Sequence, residues 1–335
     1  MTPQLAALSV EWGPLTPRGL GWPRGYRQQS MSIAVSSSAS DQFSIRGMQQ
    51  PSHTDPLART LAQVDDWPVD SVAAGLIDQG KTYYAGTVDT DYRFPLASVT
   101  KPLVAYAVAV AVEEGVFEWD TACGPEGSTV RHLLAHASGV GFDTPELQKP
   151  VGQRRIYSNA GFELLADAVE AETGIAFPEY FRQALCEPLG LGATLDGSAG
   201  HGVTASLRDV MTFVKEVLQP SLIHPSTLEE MLSIQYPELA GVVPGYGSFT
   251  PCPWGLGFEV KGSKGTAGRE HWTGTRLPAR TVGHFGQSGT FMWVDPQAER
   301  GCVVLTDRAF GPWAKPLWAE FNDELSGALT PPYAG

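Results

Sequence analysis

FPLASVTKPL, residues 94–103, holds the only S-x-x-K of the chain, Ser98 and Lys101, at a point where a strand-like segment gives way to a long apolar run. Positions i and i+3 share a helix face, so the Lys101 amine can reach the Ser98 hydroxyl. The serine also sits at the positive end of that helix, which favours an alkoxide. Pro102 suits a first turn, where a missing N–H costs least. The run LVAYAVAVAV (103–112) is apolar nearly all round, so Ser98 to about Glu118 reads as a helix buried on every side. That run is roughly half of what crosses a bilayer. Taken alone, S-x-x-K equally describes an ordinary helix start with a capping serine and a surface lysine.

Two further stretches bear on it. RRIYSNAGF (154–162) puts Tyr157 and Asn159 on a turn entering a helix, side by side if the segment is extended. A tyrosine near cations loses its proton below its free value and can then act as a base toward a serine. The same stretch also reads as an Asn helix cap beside a packed tyrosine. GHFGQSGTF (283–291) falls one glycine short of the G-x-S-x-G elbow, with Thr290 after Gly289, and no convincing histidine follows Ser288 to complete a Ser-Asp-His order.

The order Ser98-x-x-Lys101, Tyr157-x-Asn159, His284-x-Gly286 resembles the serine hydrolases related to class C β-lactamases and DD-peptidases, a family that also contains carboxylesterases. FPLASVTK, LLAHASG, YSNAGF, LCEPLGLGAT, GVTASLRDVMTF and WGLGF support the resemblance over roughly residues 60 to 325. It implies Ser98 as the acylated nucleophile, with Lys101 and Tyr157 holding or removing its proton. It implies Asn159 on the amide or carbonyl side of the substrate and His284 in the place of the Lys or His of a K/H-T-G motif. Gly286 would let substrate lie against the strand, and the N–H groups of Gln287 and Ser98 would form the oxyanion hole. Ser288 is then a neighbour. Phe285 stands where the family often has Thr, removing a hydroxyl that binds a substrate carboxylate, and an imidazole is only partly protonated near neutral pH. These departures point to an uncharged ester or amide, with a lactam or D-amino-acid amide as the alternative and a non-catalytic binding module of the same fold as another.

The sequence has 335 residues, 23 basic against 36 acidic, and a net charge of −13, which argues against nucleic acid or anionic lipid as partner. Cys123, Cys186, Cys252 and Cys302 form no C-x-x-C pair, as expected of free thiols in a reducing cytoplasm. No apolar h-region with a cleavage site is legible near the start, so a cytoplasmic location is expected. Residues 1–52, polar and serine-rich, read as a weakly ordered extension in which Met31 and Met48 are alternative starts.

Residues 53–330 read as one α+β domain: an antiparallel sheet from both ends of the chain (53–101 and 245–330), flanked by terminal helices, with a large helical insert (102–244). SVAAGLID and KTYYAGTVD form a hairpin across Gln79-Gly80. HLLAH puts His132 and His136 one helical turn apart, a zinc-like spacing, but without the glutamate of H-E-x-x-H or an obvious third ligand, so neither metal nor organic cofactor is expected. Trp254, Trp272 and Phe285 are expected walls of an apolar acyl pocket beside Ser98.

Overall fold

Seen in a computed structural model, residues 55–266 and 268–329 are described; the expected extension over 1–52 lies outside them. Helix α1 (Pro56–Leu61), capped by the Asp55 carboxylate, leads into strands β1 (Val72–Asp78) and β2 (Lys81–Gly86). They pair antiparallel with Asp78 opposite Lys81. Gln79 and Gly80 both have positive φ, 48° and 81°, so the hairpin turns through the two left-handed residues that match strand twist. Strand β3 (Arg93–Pro95) and a 3₁₀ turn (Ala97–Val99) deliver the chain to α2 (Thr100–Glu113).

The helical region follows: α3 (Val130–Leu134), α4 (Ala160–Thr173), α5 (Phe177–Phe181) and α6 (Glu187–Leu189). It also holds short strands β4 (Thr194–Leu195) and β5 (Val203–Ser206), which make a three-stranded sheet with β3 in the order β3-β5-β4. The insert is therefore not purely helical, because β3 needs a partner to satisfy its backbone. Ser206 starts α7 (Leu207–Leu218) with a capping box, its hydroxyl accepting from Asp209 N while the Asp209 carboxylate accepts from Ser206 N. Next come α8 (Pro225–Leu232) and the paired strands β6 (Gly241–Val243) and β7 (Gly247–Phe249). The chain ends with β8 (Glu259–Val260), β9 (Val282–Gly286), β10 (Thr290–Asp295), β11 (Arg300–Thr306) and α9 (Ala314–Ala328).

The main sheet runs β2-β1-β11-β10-β9-β8, antiparallel throughout, so strands from both ends of the chain meet at β1 and β11. Alternate residues of the central strands enter two cores. Met292, Val294, Val303 and Leu305 pack with the helical region, while Phe291, Trp293, Cys302 and Val304 pack with α1 and α9. That is why these strands read as continuous apolar runs. Gly75 and Gly301 let α7 approach: a Cβ on Gly75 would lie 2.6 Å from Met211 Sδ, and one on Gly301 2.4 Å from Val214 Cγ1. The edge of β9 faces the start of α2, and this seam carries the site.

Candidate active site

Ser98 lies in the 3₁₀ turn, one residue after Ala97, whose φ of +46° is left-handed and strained for a side chain with a Cβ. Three bonds brace this segment: Leu96 N to Val203 O (2.8 Å), Ser288 Oγ to Pro95 O (2.6 Å) and Thr290 Oγ1 to Leu96 O (2.8 Å). The near-elbow is thus a clamp, with Ser288 tying down the chain that presents Ser98. Gly286 belongs to the same clamp. A Cβ there would sit 2.3 Å from Leu96 O and 2.5 Å from Thr290 Oγ1, so its smallness makes room for the serine's own chain.

Lys101 is fully buried, contrary to the surface-lysine alternative. Its Nζ donates to Asn159 Oδ1 (2.6 Å) and Gly200 O (2.8 Å) and lies 4.6 Å from the Tyr157 ring centre. Burial pulls the amine down to about 7, against the opposing pull of the Glu163 and Asp143 carboxylates. Two neutral acceptors match the two N–H bonds of an uncharged amine and leave its lone pair over. Asn159 does not cap α4: its backbone is already helical, φ −76° and ψ −43°, and its side chain makes no capping bond. Its amide instead bridges Lys101 and Asp143, Nδ2 donating to Asp143 Oδ1 at 2.8 Å.

Tyr157 is hydrogen-bonded to Ser98, yet burial pushes its hydroxyl above the ordinary tyrosine range, against the effect of that bond. Burial works against the easy proton loss expected from sequence, because an enclosed phenolate would lose its solvation. Tyr157 is a neutral hydroxyl here. Its partner on the other side is His284 Nε2, 3.4 Å away. His284 Nδ1 lies 2.7 Å from Phe285 O, an acceptor, so Nδ1 carries the proton and Nε2 is the lone-pair nitrogen facing Tyr157. Burial, with Lys101 adding to it, brings this imidazole down to about 3. It is neutral, not partly protonated, and both nitrogens face protein groups.

A cavity of about 250 Å³ opens beside Ser98, walled by Phe142, Tyr157, Val243, Pro244, Trp254 and Phe285, with Asn159, His201, His284 and Gln287 also reaching it. Trp272 does not line it; the indole is buried behind, donating to Glu259 Oε2 at 2.8 Å. The Gln287 carbonyl accepts from Phe310 N (2.9 Å) and its side chain donates to Phe310 O (3.2 Å), while its own N–H has no acceptor among the described residues. That N–H is available to a developing oxyanion.

The contributors missed in the sequence include the cavity-lining Val243, Pro244 and His201 and, around the Tyr157 turn, Phe142, Asp143 and His136. Gly141 O and Phe142 O accept from Ser158 Oγ (2.6 Å) and Asn159 N (2.7 Å), laying this loop along the Tyr157-Ser158-Asn159 turn. His136 Nδ1 accepts from Ser158 N (3.2 Å) and its ring lies 4.6 Å from that of Tyr157. His132 turns elsewhere, to Thr129 Oγ1 (2.8 Å) and the Tyr236 ring, since α3 ends before His136 and breaks the expected one-turn spacing. No group of three or more His, Cys, Asp or Glu side chains suited to a metal ion occurs among the described residues. Among them, too, no helix is long and apolar enough to cross a membrane.

An antiparallel sheet seamed to a helical region, with a serine, a buried lysine and a tyrosine at the seam, is a β-lactamase/transpeptidase-like α+β fold. A family model described as Beta-lactamase matches residues 58–325, and the chain belongs to that family. A solved β-lactamase from Mycobacterium bovis is 47% identical, with a TM-score of 0.77, covering 81% of this chain and 100% of its own. An uncharacterised protein of Alkalihalophilus pseudofirmus is 32% identical over 110 residues, 30% of this chain and 33% of its own length. Penicillin-binding protein 4* of Bacillus subtilis is 25% identical over 180 residues, 44% of this chain and 40% of its own. The chain thus matches less than half the length of these two curated relatives.

Proposed function

We propose that the chain is a serine hydrolase that forms an acyl-enzyme on Ser98 and acts on a small, uncharged ester or amide. The observation that carries this reading is the buried Lys101, drawn down to about 7 and bonded to two neutral acceptors, one helical turn from Ser98. A base poised near the working pH is what general-base catalysis needs. Lys101 takes the Ser98 proton, and the neutral Tyr157 hydroxyl, hydrogen-bonded to Ser98, holds the serine in place as the proton leaves. Ser98 Oγ bonds to the carbonyl carbon, and the oxyanion rests on the N–H groups of Gln287 and Ser98. As the carbonyl re-forms, the bond to the alcohol or amine breaks and that group leaves with the proton. Water then attacks the acyl-enzyme by the same route and returns Ser98. The substrate preference is supported by the neutral His284, the Phe285 side chain and the apolar walls of the cavity, which favour an uncharged group beside Ser98.

Lactam hydrolysis is the second reading, favoured by the description of the 47% identical relative as a β-lactamase. The two separate by turnover of p-nitrophenyl butyrate against a chromogenic cephalosporin, with Ser98→Ala as control. Ester hydrolysis lost in S98A, with a far lower kcat/KM for the cephalosporin, is the expected result. The reverse preference would favour the lactamase reading, and no turnover of either would favour a binding module.

A further inference from the structure

Asp143 is an exposed loop residue, yet it ends a chain of bonds that begins at the buried amine: Lys101 Nζ to Asn159 Oδ1 at 2.6 Å, then Asn159 Nδ2 to Asp143 Oδ1 at 2.8 Å. The two ends of an asparagine amide have nearly the same shape, so only their partners decide which way the group faces. Gly200 O, the other acceptor of Lys101, accepts no hydrogen bond from the Asn159 amide among the described residues. A carboxylate can only accept, and it therefore selects the NH₂ end. We propose that Asp143 is a positioning residue for acylation: by holding the NH₂ of Asn159 it keeps the Asn159 carbonyl on the Lys101 amine and leaves the amine's lone pair to Ser98. This deepens the hydrolase reading above and rests on it.

The alternative state has a definite cost in chemistry. With the amide turned over, an Asn159 N–H would point at Lys101 and donate to the lone pair that has to receive the serine proton. The base would be capped by its own neighbour. Lys101 opposes this by donating to Oδ1, and Asp143 is the acceptor that holds the other end of the amide. The backbone of the turn is fixed independently, since Gly141 O and Phe142 O hold Ser158 and Asn159 N whichever way the side chain faces. Loss of the Asp143 side chain should therefore leave the fold and the loop intact and disturb only the amide.

The charge of Asp143 acts in addition. Lys101 is faced by Asp143 from this loop, Glu163 from α4, Tyr157 ahead of α4, His136 beyond α3 and His284 from β9. Of these, Asp143 and Glu163 are the carboxylates that favour the protonated amine. Removing one negative charge makes the proton easier to lose, so the rise of activity with pH moves to lower pH.

The test uses the full chain and two variants, Asp143→Ala and Asp143→Asn, the second keeping a neutral acceptor for the Asn159 NH₂. Ser98 labelling by a fluorophosphonate is timed across pH 5 to 9, kcat and KM are taken with p-nitrophenyl butyrate, and thermal unfolding is followed alongside. On the alkaline plateau D143A should label about tenfold or more slowly, with kcat falling more than KM rises and Tm unchanged. D143N should recover most of that rate with its acidic limb at lower pH than wild type. A D143A chain that labels on that plateau as fast as a labelling wild type overturns this inference alone, as does a D143N chain as slow as D143A. A wild type that takes no label on Ser98 overturns the hydrolase reading and this inference with it.

Discussion

Two lysines, Lys101 and Lys264, are among the largest fully buried side chains of the molecule, and their surroundings differ in kind. Lys264 donates to Pro253 O (2.9 Å), Val260 O (2.8 Å) and Glu259 Oε1 (2.8 Å), one acceptor for each of the three N–H bonds of an ammonium, and one of them a carboxylate. Burial pushes the Glu259 carboxyl up, but Lys264 and His271 outweigh it and hold that group well below the usual carboxylate range. Lys101 has two acceptors, both neutral. The third position and the compensating charge are what separate a structural pin from a base, and both environments border the cavity, Lys264 lying 5.2 Å from the ring centre of Trp254.

The largest effect expected is on catalysis at the first lysine. Lys101→Met should lower kcat/KM for an ester by about 10²–10⁴-fold, the range a general base contributes, while circular dichroism shows a folded chain. Lys101→Arg should fail as badly, because a guanidinium does not give up its proton. An active K101R enzyme would break the comparison by showing that charge alone suffices.

At the second lysine the effect moves from rate to stability. Lys264→Met strands the Glu259 carboxylate in the interior and should cost about 3–5 kcal/mol in urea unfolding. The fraction that remains folded should keep its ester kcat. Loss of kcat without loss of stability would mean that Lys264 serves the reaction directly.

A smaller and subtler effect is the pH profile. Activity needs the uncharged Lys101 amine, whose population grows as pH rises through about 7, so kcat/KM should climb through that pH and level off above it. His284, already neutral above about 3, should add no second limb between pH 5 and 8. Placing a cation there with His284→Lys should make the Lys101 proton easier to lose and move the limb to lower pH. It should also improve turnover of a carboxylate-bearing lactam relative to the ester, measured as the ratio of the two kcat/KM values.

Least is expected from Ser288→Ala. It deletes the bond to Pro95 O and a longer contact, 3.4 Å, with Thr290 Oγ1, and should cost about 1 kcal/mol of stability with ester kcat/KM within a few-fold of wild type.

Spacing made part of this legible in the sequence. Two left-handed residues at Gln79-Gly80 sit between apolar runs and mark the hairpin, and the unbroken apolar run after Lys101 marks a helix that has no exposed face. Ser98 and Lys101 share a turn by local geometry alone. What burial does to proton affinity was not legible. Tyr157 and His284 are read from sequence as groups near a charge, whereas enclosure dominates both and leaves them neutral. Asp143 was invisible for another reason: its role depends on a loop 16 residues before Asn159 folding back along the turn, and no periodicity announces such a contact. Gly286 was legible as a position that needs space, without what takes up that space. The space belongs to Leu96 and Thr290.

The central claim is that Ser98 is made nucleophilic by an uncharged, buried Lys101. The most direct measurement is the rate of fluorophosphonate labelling as a function of pH, with intact mass and peptide mapping to locate the adduct and Ser98→Ala as control. The account predicts a single adduct, on Ser98, formed at a rate that rises through pH about 7 and absent from the control. An adduct on Ser288, no adduct on the folded chain, or a Ser98 rate indifferent to pH across that range would contradict it.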